Sequence, residues 1–168
     1  GNTIFSDTHY HYDGAIHEPA TQANLTLKQT VYSGNATLDV SYGYDDYGNA
    51  ISTCGYMAYG SLNTFPVSDS RCVTTTLDST LGVYPVSTTD VGGNTTTSNY
   101  LLSIGVPKSV TDPNGWTTSY SYDGLGRNVS VTPPGLQNAG VRYTFPDSSS
   151  GSVVSPYSIQ MEIYDPQI

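Results

Sequence analysis

Apolar and polar residues alternate with a period of two along much of this chain. Leu38, Val40, Tyr42 and Tyr44 fall on one parity and Asp39, Ser41 and Gly43 on the other. The same holds for Arg127, Val129 and Val131 against Asn128, Ser130 and Thr132. Successive side chains of a strand point to opposite faces, so each run predicts a strand with its apolar residues on one face. No window places apolar residues at the 3.6 spacing of a helix. Between the runs stand turn formers: Asp45-Asp46-Tyr47-Gly48, Asp123-Gly124-Leu125-Gly126 and Pro133-Pro134-Gly135. An Asp that accepts backbone N–H bonds, followed three residues later by a Gly tolerant of positive φ, predicts a hairpin with a loop of about four residues.

These units repeat. Tyr120-Ser121-Tyr122-Asp123-Gly124-Leu125-Gly126-Arg127 is echoed at Tyr42-Gly43-Tyr44-Asp45-Asp46-Tyr47-Gly48-Asn49. Its head returns at Tyr10-His11-Tyr12-Asp13-Gly14, with weaker copies at Thr76-Leu77-Asp78 and Ile163-Tyr164-Asp165. Independently, Thr89-Asp90-Val91-Gly92-Gly93-Asn94-Thr95-Thr96-Thr97 aligns with Thr111-Asp112-Pro113-Asn114-Gly115-Trp116-Thr117-Thr118-Ser119 at a shift of 22. Tyr100 and Tyr122 stand at that same separation. Two alignments with one period identify a repeat array. The expected fold is therefore all-β: antiparallel stacked hairpins forming a winding open sheet. Tyr42, Tyr44, Tyr120 and Tyr122 are its expected ladder residues, and Asp45, Gly48, Asp123 and Gly126 set its turns.

Composition sharpens the picture. Charged residues are only 11% of the 168, tyrosines number 15, and the formal net charge is -9 with five Lys and Arg. Binding to a nucleic-acid backbone or an anionic membrane surface needs a basic patch, and the sequence has none. No apolar run approaches the ~20 residues of a membrane-spanning helix. The chain opens on Gly1 without a signal peptide, and reads as a mature segment or a piece of something longer. One segment covers 1–168, its repeat strongest over 87–135.

The string Ser109-Val110-Thr111-Asp112-Pro113-Asn114-Gly115, then Tyr120-Ser121-Tyr122-Asp123, Gly126-Arg127 and Val131-Thr132, resembles the Rhs or YD-repeat family. That family includes bacterial Rhs toxins, shell components of insecticidal toxin complexes and teneurin ectodomains. The resemblance implies long β-sheets that spiral into a hollow shell outside cells, and so an extracellular or cell-surface location. The hallmark core motif, the self-cleaving aspartyl site and the toxin payload of Rhs toxins do not occur here. About five or six repeats are too few to close such a shell, so only the β-repeat architecture carries over.

Candidate chemistry is sparse. Cys54 and Cys72 are compatible with a disulfide adding about 3 kcal/mol through loop entropy, or with two buried thiols. A zinc site lacks a second Cys pair. Asn24, Asn35, Asn94 and Asn128 head sequons that a secretory system could glycosylate. His9 and His11 share a strand face near Asp7 and Asp13, but nothing fixes a third metal ligand. Asp45, Asp46 and Asp123 lack the spacing of a calcium loop and read as turn caps. No nucleophile elbow or metalloprotease motif occurs, and Glu18 and Glu162 lie far apart, so neither an enzyme nor a cofactor is expected.

Open sheets leave edge strands that seek partners. The expected role is structural: a glycosylated building block of an extracellular filament or shell wall, whose partners are copies of itself or adjacent repeats of a longer chain. Segments 1–22 and 153–168 are the expected exchanged or capping strands. The alternative is a carbohydrate-binding module in which exposed Tyr side chains and Trp116 stack on sugar rings.

Overall fold

A computed structural model describes residues 7–14, 21–61, 71–138, 140–145 and 160–163, with backbone alone for 56–61 and 160. It is all-β, and among the described residues there is no helix. The chain forms two compact units, Gly1–Thr95 and Thr96–Ile168. The first holds β1 (Asp7–Tyr12), β2 (Leu25–Ser33), β3 (Ala36–Tyr44), β4 (Ala50–Ser61), β5 (Cys72–Leu77) and β6 (Pro85–Thr89). The second holds β7 (Thr95–Leu101, starting at the boundary), β8 (Val106–Thr111), β9 (Thr117–Tyr122), β10 (Asn128–Thr132), β11 (Val141–Thr144) and β12 (Gln160–Ile163). Within each unit every strand pairs antiparallel with the next in sequence, giving a meander of stacked hairpins.

Residue preference explains the elements. Thr, Val and Tyr fill the strands, as in Thr95–Leu101 and Thr117–Tyr122, because their branched or aromatic side chains suit a pleated surface. In β9 exposure alternates residue by residue, with Thr117, Ser119 and Ser121 exposed and Thr118, Tyr120 and Tyr122 half-buried. In the second unit the outer parity forms rows of small polar side chains. Thr97, Thr111 and Thr117 are opposed across three strands, as are Asn99, Ser109 and Ser119. Hydrogen bonds knit these rows: Thr111 Oγ1 and Thr117 Oγ1 lie 2.8 Å apart, and Asn99 Nδ2 donates to Ser109 Oγ at 3.1 Å.

In the first unit the polar parity of β3 is the more buried one: Thr37 and Asp39 are buried while Leu38, Val40, Tyr42 and Tyr44 are only half-buried. The reason is a polar cluster spanning three strands. Gln29 Nε2 donates to both carboxylate oxygens of Asp39 at 3.2 Å and to Thr37 Oγ1 at 3.4 Å, while Gln29 Oε1 lies 3.1 Å from His11 Nε2. A buried polar group costs little once its hydrogen bonds are made, so this parity tolerates burial. Leu27, beside the cluster, is fully buried, and among the described residues it is the one apolar side chain that is. Stability here therefore leans on ladders and turns more than on a thick apolar core.

A second difference lies in β10. The simple alternation of Arg127, Val129 and Val131 is interrupted by a bulge between Asn128 and Ser130, which puts Val131 opposite Tyr120 and Ser130 opposite Ser121. A bulge inserts one unpaired residue and shifts parity, which a period-two reading does not anticipate.

Candidate functional site

The most repeated local structure is a hairpin tip clamped by an aspartate. Among the described residues it occurs in four near-identical copies, at Asp45, Asp90, Asp112 and Asp123. In each, the Asp N–H donates to the carbonyl four residues on, Asn49, Asn94, Trp116 or Arg127, at 2.9–3.0 Å. The glycine three residues on (Gly48, Gly93, Gly115, Gly126) donates to the Asp carbonyl at 3.0–3.1 Å. These glycines have φ of 79 to 83°, a left-handed conformation that favours Gly. Only three residues lie between the bonded pair, one fewer than the expected loop. The turn with its left-handed Gly matches the three-residue hairpin loop with a Gly bulge.

The carboxylate completes each clamp. Oδ1 of Asp45 accepts from the amides of Tyr47 and Asn49, both at 2.9 Å. Asp90 receives Gly92 and Asn94, Asp112 receives Asn114 and Trp116, and Asp123 receives Leu125 and Arg127, all at 2.8–2.9 Å. In three copies the last side chain returns to Oδ2: Asn49 Nδ2 at 2.9 Å, Asn94 Nδ2 at 2.9 Å and Arg127 Nε at 2.7 Å. Arg127 also lays its guanidinium over the Phe145 ring, 4.1 Å from the centroid.

Two longer tips use the same device. Asp78 Oδ1 takes the amides of Thr80 and Leu81, and Oδ2 those of Val83 and Tyr84. Asp13 reaches across to Gln22, Ala23 and Asn24, and Thr21 N–H also donates to it. Donors aimed at an ionised carboxylate favour its charged form. The Gln22 amide, followed by those of Asn24, Thr21 and Ala23, holds Asp13 down at about 2. Asp78 is lowered further by the Tyr84 and Leu81 amides. The Asn49 side chain depresses Asp45, and the Asn94 side chain depresses Asp90. At Asp123 desolvation pushes upward, but the Arg127 amide and guanidinium with the Leu125 amide outweigh it and the carboxyl is lowered.

The repeat tyrosines act beside these tips. Tyr44 Oη donates to the Leu25 carbonyl at 2.9 Å and Tyr122 Oη to the Pro107 carbonyl at 2.8 Å, each tying its strand to the preceding one. Tyr42 stands opposite Thr53 and Tyr120 opposite Val131. These four side chains thus meet hydroxyl, aliphatic and carbonyl groups across the strands, where the sequence led one to expect aromatic rows. Trp116 is 54% exposed at its tip, while Tyr120 and Tyr122 are half-buried.

The remaining expected residues are placed as follows. Cys54 and Cys72 stand directly opposite in β4 and β5 and are disulfide-bonded. Asn35 is exposed in the tight turn after β2, whereas Asn24 and Asn94 donate their amides to Gln22 and Asp90. Asn128 is half-buried, and its Oδ1 is sealed without a hydrogen-bond partner. His9 lies 3.0 Å from Asp7, and among the described residues no group of three metal-ligating side chains occurs. The expected exchanged segments fall largely outside the described residues, which include only 7–14, 21–22 and 160–163 of them.

Sequence reasoning missed the buried His11–Gln29–Asp39–Thr37 cluster. Its sole sequence signal was polar residues on the parity opposite Leu38 and Val40.

Comparison with curated proteins gives no match. Residues 107–135 match the family described as RHS Repeat. The matched stretch contains both the Asp112 and the Asp123 tips with the Tyr122 tie between them, one full period of the device described above. On that match and that geometry, residues 107–135, 29 of the 168, are similar to the RHS repeat.

Proposed function

We propose that this chain is a non-catalytic, extracellular structural element that builds a filament or shell wall by continuing its sheet from copy to copy or into adjacent repeats of a longer chain. Proteins with RHS repeats are typically found outside cells or at their surface, which supports the location. The observation that carries the reading is β12. It pairs with β11 through Val141–Ile163, Arg142–Glu162, Tyr143–Met161 and Thr144–Gln160, and among the described residues no strand pairs with its other edge. Met161 and Ile163 are 56% and 71% exposed. An open edge presenting apolar side chains is a template for a further strand. A second copy's β1, itself an edge strand, meets the need.

The carboxylates of Asp13, Asp45, Asp78, Asp90, Asp112 and Asp123 accept turn amides, which supports a structural role for them over a catalytic one. Asn35 is the sequon asparagine best presented for a glycan. Sedimentation velocity tests the assembly. Wild-type protein is expected as particles heavier than the 17.9 kDa chain, and Met161→Lys with Ile163→Lys is expected to return it to monomer. A monomeric wild type at high concentration would refute the reading.

A further inference from the structure

We propose that Asn114, at the Asp112 tip between β8 and β9, is a site of spontaneous deamidation gated by the aspartate clamp. The hairpin thereby carries a chemical timer, which does not depend on assembly. Asn114 is followed directly by Gly115, and no other asparagine of the chain precedes a glycine. The tips at Asp45, Asp90 and Asp123 place Tyr47, Gly92 and Leu125 before their left-handed glycines, and none of these can form a cyclic imide. Pro113, Asn114, Gly115 and Trp116 are all exposed. Nothing lies within 4 Å of where a Gly115 Cβ would stand, so open space surrounds the atoms that close the ring.

The reaction needs only water. The Gly115 nitrogen attacks Asn114 Cγ and gives up its proton, and Nδ2 departs as ammonia, leaving a succinimide. Glycine permits the attack because it has no Cβ to block the approach. Water then opens the ring at one of its two carbonyls. Attack at Cγ gives aspartate with the original backbone. Attack at the backbone carbonyl carbon gives isoaspartate, in which the chain runs through Cγ and is one atom longer.

The folded tip restrains the nucleophile. Gly115 N–H donates to the Asp112 carbonyl at 3.0 Å, and the Asn114 amide donates to Asp112 Oδ1 at 2.9 Å. Ring closure therefore waits for the tip to open, a local event less costly than global unfolding. This tip is also the least secured of the four. In the others Asn49, Asn94 or Arg127 returns its side chain to the Asp Oδ2, whereas here Trp116 occupies that place and donates only through its backbone. The Asn-Gly pair thus falls on the tip that lacks the second lock. An isoaspartate adds a backbone atom to a three-residue loop, so the Asp112–Trp116 pair cannot re-form in register. The Thr111–Thr117 hydroxyl pair bordering the tip then loosens.

Peptide mapping by mass spectrometry tests the proposal on the whole chain, aged at mildly alkaline pH in native buffer and in guanidinium chloride. An isoaspartyl O-methyltransferase counts the isoaspartate formed. Conversion of the native chain is expected at Asn114 and at no other asparagine, about tenfold slower than in denaturant. Asp112→Ala should speed it about tenfold by removing two amide bonds. Trp116→Asn, which supplies the lock of the Asp45 and Asp90 tips, should slow it about fivefold. In the wild type the single tryptophan should report the opened, aged tip by a change in fluorescence. Equal rates in native and denatured chains overturn the proposal, as does a native chain that never converts while the denatured one does. An unchanged rate in Asp112→Ala overturns it too. Should circular dichroism show that Asp112→Ala unfolds the sheet, Trp116→Asn decides alone, and a rate it does not slow refutes the gate.

Discussion

The aspartate clamp is a residue-scale device, and its consequences can be read one side chain at a time. Gly126 sits at φ +79° with the Ile104 Cδ1 only an ordinary contact distance from where a Cβ would be. Gly126→Ala should therefore cost roughly 1 kcal/mol, from the left-handed backbone and not from a clash. Thermal unfolding would show the difference against Gly124→Ala, where nothing crowds the Cβ and φ is not left-handed. The clamps also fix a pH dependence. Their folded carboxyls are lowered, so the ionised form favours the folded state. The stabilisation is complete above the ordinary value of 3.8 and drains away as pH falls through the folded values, about 2 for Asp13. Circular dichroism should show strand signal retained at pH 5 and lost between about pH 4 and pH 2. Asp78→Asn and Asp123→Asn should each lower the melting temperature at neutral pH and flatten that acid limb, since the amide cannot take the same donors.

At the scale of the element, the question is what fixes register, since a slip of one residue exchanges the two faces of a strand. Cys54 and Cys72 pin β4 to β5 at a directly opposed pair. The bond closes a loop with a sequence separation of 18, worth about 3 kcal/mol by loop entropy. Reduction should speed amide hydrogen exchange in β4 and β5 while leaving β8 and β9 protected. Tyr122 fixes β9 differently, through its hydroxyl on the Pro107 carbonyl. Tyr122→Phe should lose about 1 kcal/mol, whereas Tyr120→Phe should be near neutral, as judged by urea denaturation. Strands and tips were legible in the sequence because period-two alternation and Asp-x-x-Gly spacing are local signals that each residue carries by itself. The tyrosine hydroxyl ties were not, because Leu25 and Pro107 become their partners only once the strands are paired. The bulge at Asn128–Ser130 and the buried Gln29 cluster escaped for the same reason: each depends on a neighbouring strand.

At the scale of the whole molecule, the repeat has a two-part period. In the second unit the Asp112 tip is flanked by the Thr111–Thr117 hydroxyl pair and the Asp123 tip by Tyr122. The 22-residue shift seen in the sequence is one full cycle of threonine tip and tyrosine tip. Such an array makes contacts mainly between neighbours in sequence, and its stability grows by adding units. Its limits are its edges, and among the described residues β12, with Met161 and Ile163 exposed, stands at one of them.

The Asp13 and Asp78 tips show what the clamp permits. Each holds a longer excursion than its four shorter relatives, closed by the same carboxylate on amides eight to eleven residues on for Asp13 and two to six for Asp78. Loop length and strand pairing are thereby uncoupled, because closure entropy rises only slowly with length. Foreign peptides grafted between such an aspartate and its last donor would be displayed without disturbing the ladder beneath, making these hairpins natural insertion points for an engineered scaffold.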